Sequence, residues 1–136
     1  MIPPVDGIYF NAPGVASVRW DYDAQLVLVE WDGWANSVEF AALLDAELQA
    51  LKQNQGTRLL ADCRRQKVLN PKDQERANRE WLPRALAAGL KRFAIVVPAS
   101  VLADMNLRES LAKASATALE VGYFTTVEEA EEWVAG

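Results

Sequence analysis

The chain has 136 residues, 51% hydrophobic and 24% charged, with five Trp, one Cys, no His and a formal net charge of −5. That length and balance fit a single domain over residues 1–136 with a core of its own, and they exclude wholesale disorder. Without histidine there is no Ser-His or Cys-His nucleophile pair, and one cysteine excludes an internal disulfide and a four-Cys zinc site.

Residues 1–14 hold three Pro and two Gly and read as a loose opening segment. They lack the basic and apolar regions of a secretory signal, no run of about 18 apolar residues follows, and cytoplasmic is the expected location. Ser17 to Tyr22 alternates small or polar with bulky residues, and Gln25 to Trp31 is more fully apolar. The two predict an antiparallel hairpin whose second strand is deeper. Asn36 then reads as a helix N-cap with Glu39 three residues on, and Phe40, Leu44, Leu48 and Leu51 form an apolar stripe that Gly56 closes.

Arg58 to Ala61 predicts a short buried strand, with Asp62 to Lys67 as the polar loop leaving its carboxyl end. Asn70-Pro71 starts a second helix, lined by Ala77, Trp81, Ala85 and Ala88, kinked at Pro83 and closed by Gly89. Arg92 to Val97 is the strongest strand signal. A short helical turn is expected over Ser100 to Asp104. Asn106 then caps a helix carrying Leu107, Leu111, Ala114 and Ala118. Tyr123-Phe124 gives a last strand, and Thr126 caps a helix with Val127, Ala130 and Trp133 inward. The expected fold is α/β, with a mixed, mostly parallel sheet of about five strands, an N-terminal antiparallel hairpin and about four covering helices.

Charge is uneven along the chain. Arg58 to Arg92 holds ten basic and four acidic residues, and the remainder holds four basic and fifteen acidic. The overall sign disfavours nucleic acid, whereas the basic middle suits an anionic ligand or an acidic partner surface, or is simply a solvated face.

The element order and four runs, Leu59-Leu60-Ala61-Asp62, Asn70-Pro71-Lys72-Asp73, Trp81-Leu82-Pro83-Arg84 and Gly89 to Pro98, together with Phe124 to Trp133, resemble the STAS superfamily. That superfamily holds the sulphate-transporter and anti-sigma-factor-antagonist (SpoIIAA-like) domains. The likeness is greatest to an uncharacterised bacterial branch of small proteins, which is related in fold to lipid-transfer domains of the CRAL-TRIO type. The resemblance implies a STAS/SpoIIAA-like fold and a role in binding a protein. In the antagonists a Ser at the start of the helix after the middle strand is phosphorylated. Here that place is Asn70-Pro71, and no Ser, Thr or Tyr occurs from Arg58 to Ala99, so the resemblance implies a module without that switch.

In parallel sheets ligands gather beyond the carboxyl ends of the strands. Asp62, Arg64, Arg65, Asn70 and Ser100 are therefore the candidate anion-binding residues, the alternative being that both Arg side chains stay in water. Cys63 beside two Arg is either an activated thiol or a small core residue. Trp34 follows a Gly outside any periodic face and, with Lys72, Arg76 and Arg79, is a candidate partner contact; the other Trp residues suit a core or an apolar pocket. No Asp-rich calcium loop, Gly-rich phosphate loop or cofactor motif is present in the sequence. The reading is a non-enzymatic module that binds a protein partner or itself. The alternative is a carrier holding an apolar or anionic lipid-like ligand between helix and sheet.

Overall fold

The computed structural model describes residues 2–136, leaving aside the side chain of Ser115. Strands β1 (Ile8–Ala12), β2 (Ala16–Asp21), β3 (Leu26–Trp31), β4 (Arg58–Asp62), β5 (Arg92–Val96) and β6 (Glu120–Phe124) form one sheet in sequence order. The first three pair antiparallel and the rest parallel. The expected mixed sheet is present with six strands instead of five. The extra strand is β1, inside the segment expected to be loose. It pairs with β2 through an irregular register between Ile8 and Phe10, which breaks the alternation that would mark it in sequence. Gly7 leads into it at φ 74°, and a Cβ there would lie 2.8 Å from the Trp20 carbonyl oxygen.

Helix α1 (Ser37–Asn54) begins with the expected capping box. The Asn36 side chain accepts from the Glu39 amide at 2.8 Å, and the Glu39 carboxylate accepts from the Asn36 amide at 3.0 Å. At its end Gln55, not Gly56, takes the left-handed turn. Gly56 is needed for another reason, since a Cβ would come within 2.8 Å of the Trp20 ring.

The predicted kinked helix runs as α2 (Pro71–Arg76), a π turn (Ala77–Trp81) and α3 (Leu82–Ala87). The Leu82 amide donates to the Ala77 carbonyl five residues back, so the added residue is absorbed just ahead of Pro83, which has no amide to give. Helix α4 (Val101–Leu111) is one continuous element capped by Ser100, whose hydroxyl accepts from the Ala103 amide. Asn106 lies within it and caps nothing. Its amide instead exchanges hydrogen bonds with Gln74 of α2 at 2.9 and 3.2 Å. A 3-10 turn (Ala114–Ala116) replaces the expected continuation to Ala118, and α5 (Val127–Ala135) starts at Thr126 as predicted.

Strand alternation divides the core. Val18, Val29, Leu59 and Ile95 face α1, α3 and α4 through Leu43, Leu82 and Leu107, whereas Leu60, Ala94 and Val96 face α5 through Ala130 and Val134. Each fully buried aliphatic side chain contributes about 1.5–3 kcal/mol, so the larger first cluster carries most of the stability. Among the described residues no helix is long and apolar enough to cross a membrane.

Candidate functional site

The carboxyl end of β4 and the loop after it divide two spaces. The alternation of the strand holds as far as Arg64 and breaks in the turn: Asp62, Arg64 and Arg65 lie outward, and Cys63 and Gln66 are buried.

On the outer side lies an open cleft of about 720 Å³ bordered by Asp32, Asp62, Arg64 and Arg65. The Arg64 guanidinium grips both carboxylate oxygens of Asp62, Nε at 2.9 Å and Nη2 at 2.7 Å, and the Arg65 Nη2 reaches Asp32 at 2.7 Å. Burial works to raise the Asp62 carboxyl, but the hydrogen bonds from the Arg64 side chain and amide, with its charge, outweigh that and hold it below the usual range. The expected anion-binding arginines are therefore each committed to a carboxylate. Asn70 and Ser100 are committed too: each caps a helix, Asn70 by accepting from the Lys72 amide at 2.9 Å. Of the five candidates, Asp62, Arg64 and Arg65 border this cleft, and the other two do not.

The partner-contact candidates are all exposed. Trp34 is half exposed in the turn before α1, and Lys72, Arg76 and Arg79 stand on α2 and the π turn. The Ser37 hydroxyl donates to Asp73 at 2.8 Å and ties the start of α1 to α2. Arg79 lies 3.9 Å from both Glu75 and Glu80. Lys72, Arg76 and Arg84 form no ion pair among the described residues.

On the inner side, between α1, the π turn, α4 and the sheet, is a cavity of about 80 Å³; an apolar pocket among Trp residues is one alternative in the sequence, but sequence reasoning missed the acid in this one, Glu47. Trp31, Phe40, Trp81 and Phe93 line it with Glu47, Cys63 and Gln66. Glu47 is only 6% exposed, and no described donor or cation pairs with its carboxyl. No unpaired side-chain oxygen is completely sealed in, so the carboxyl opens onto the cavity. Burial alone pushes Glu47 up to about 8, leaving it mostly protonated at neutral pH. Burial also pushes the Cys63 thiol up, with the Asp62 and Glu47 charges adding to it, so the activated-thiol alternative gives way to a buried core residue.

The signal for Glu47 lay in register. It stands four residues after Leu43 and three before Ala50, both buried on the face of α1 that meets the sheet. Trp81 divides the cavity from a groove on the outer surface, since Phe40, Leu44, Ala77 and Trp81 border both. The Trp81 indole N–H donates to the Leu44 carbonyl at 3.0 Å and holds the π turn against α1.

No protein-family profile matches the chain, and no curated protein matches it in sequence. Among solved structures, the chain is similar to an anti-sigma factor antagonist from Mycobacterium paratuberculosis. The TM-score is 0.59 at 14% identity, over 93% of this chain and 100% of that one. It is likewise similar to an uncharacterised DUF3478-family protein with a SpoIIAA-like fold from Shewanella loihica. There the TM-score is 0.59 at 16% identity, over 98% of each chain. The STAS/SpoIIAA-like fold implied by the resemblance is the fold observed.

Proposed function

We propose that this SpoIIAA-like domain is a non-enzymatic interaction module that docks an acidic surface of a protein partner on the strip made by Lys72, Arg76 and Arg84. One observation carries the reading: these three exposed cations have no ion-pair partner among the described residues, although the chain as a whole is acidic. The charged residues of the outer cleft, by contrast, neutralise one another. Unpaired cations steer an acidic partner at long range and are screened by salt. A solved neighbour that antagonises an anti-sigma factor acts on a protein, which agrees with this reading.

The test is affinity capture from the source cells at low and high salt, with Lys72→Glu/Arg76→Glu against a charge-reversed control at the exposed Lys91, just ahead of β5. The expected result is a partner that binds the native chain and the control and is lost from the double variant. Equal capture by all three overturns the reading.

The carrier alternative draws on the inner cavity, and its chemistry argues against an anionic lipid. The described lining holds one acid and no Lys or Arg, and about 80 Å³ accommodates a few non-hydrogen atoms, not an acyl chain.

A further inference from the structure

We propose that the cavity beneath α1 and the π turn is a binding site for a small organic cation, an alkylammonium group, with Glu47 as its counter-charge and the rings of Trp31, Phe40, Trp81 and Phe93 as its walls. This inference is independent of the basic strip. It rests on what position 47 costs. Glu47 sits on the buried face of α1, where a leucine would bury apolar surface and incur no desolvation penalty. The carboxyl is the costlier occupant, and nothing in the folded chain offsets that cost. Of the polar neighbours, Gln74 is paired with Asn106 and the Asn78 amide donates to the Ser110 carbonyl, while Gln66 and Ser110 share the lining without a side-chain bond to Glu47.

A cation entering the cavity supplies the missing partner in two ways. An ammonium N–H donates a charge-assisted hydrogen bond to the carboxylate, stronger than one between neutral groups. Aromatic rings, whose faces carry partial negative charge, surround the remaining alkyl surface; Trp31 and Phe40 lie 6.1 Å apart between centroids. An anion has no counter-charge in the lining, so its desolvation goes uncompensated there. A neutral molecule of the same shape gains the apolar contact without the ion pair.

Binding is coupled to a proton. The only other titratable side chain in the described lining, Cys63, stays neutral. In the empty site Glu47 titrates at about 8, so at neutral pH it holds its proton. The ammonium ion lowers that value, the carboxyl ionises, and the proton leaves to solvent. At pH 7 close to one proton is released per cation bound; above about pH 9 the release falls toward zero because Glu47 is already ionised.

The experiment is isothermal titration of the full chain with three ligands of one shape, isobutylamine, isobutanol and isobutyrate, in buffers of different ionisation heat. Isobutylamine is expected to bind at least about tenfold tighter than isobutanol, with buffer-dependent heat at pH 7 that fades at pH 9. Isobutyrate is expected not to bind. Glu47→Gln is expected to remove the proton release and the preference for the amine. Isobutanol binding as well as the amine overturns the cation assignment while leaving a cavity site. Absence of binding by all three at millimolar concentration overturns the site itself. The proton release is read on the native chain, so the test survives even if the variant fails to fold.

Discussion

The outer cleft and the inner cavity share the loop from Asp62 to Gln66, yet they treat charge in opposite ways. In the cleft every carboxylate beside an arginine is held by it, at 2.7 Å for both Asp62–Arg64 and Asp32–Arg65, within reach of water. In the cavity one carboxyl stands 6% exposed with no partner. Paired surface charges contribute little and are readily replaced by water. An unpaired buried acid costs far more, and it survives at neutral pH by keeping its proton. A conspicuous cluster of charges is thus the inert region, and a single acid on an apolar face is the one with unspent chemistry.

The strongest way to break this contrast is pH. Folded Glu47 titrates at about 8, above the ordinary carboxyl value, so between those two values the folded chain holds a proton that the unfolded chain has released. The contribution of Glu47 to stability is therefore greatest below the ordinary carboxyl pKa and falls as pH rises toward 8, by up to about 1.4 kcal/mol per unit, then levels. Urea unfolding of native chain and Glu47→Gln at about pH 6 and about pH 8 should show the native chain losing roughly 2 kcal/mol relative to the variant. A difference that does not change with pH would mean the carboxyl is already solvated.

Next in size is the wall of the cavity. Trp81→Ala removes a half-buried ring and the hydrogen bond to Leu44, joining cavity and groove. A loss of about 2–3 kcal/mol in the same unfolding experiment is expected, below the full cost of a buried Trp because one side of the ring already meets solvent.

The smallest effect belongs to the cleft. Arg65→Ala should change stability by no more than about 0.5 kcal/mol, since the pair is largely exposed. An effect as large as that of Trp81→Ala would show that the cleft is more than a solvated rim.

Much of the fold was legible because its signals are local. Asn36 with Glu39, Asn70 with Pro71, and Thr126 each satisfy amides within three residues, so their chemistry is complete in a short stretch of chain. The parallel strands β4 and β5 announce themselves as short apolar runs between polar loops. Asn106 misled for the same reason in reverse. Its side chain suits a cap, but Gln74 on another helix claims it, and Ser100 caps α4 instead. β1 escaped notice because an irregular pairing with β2, not its own pattern, makes it a strand.

The candidate site divides along the same line. Sequence alone determined that the 58–92 region is basic, that Lys72, Arg76 and Arg79 stand on a helix that begins at Pro71, and that no histidine chemistry is available. Which arginines are neutralised was decided by tertiary structure. Arg65 meets Asp32 across the gap between β3 and the loop after β4, more than thirty residues apart in sequence. The cavity was decided there too. Glu47 falls at the spacing of the buried face of α1, but that it meets a cavity and no partner follows only from how α1, the π turn and the sheet close around it. Hydrogen-bonded caps are properties of consecutive residues, whereas burial and charge pairing depend on which distant surfaces meet. Only the packed chain specifies that meeting.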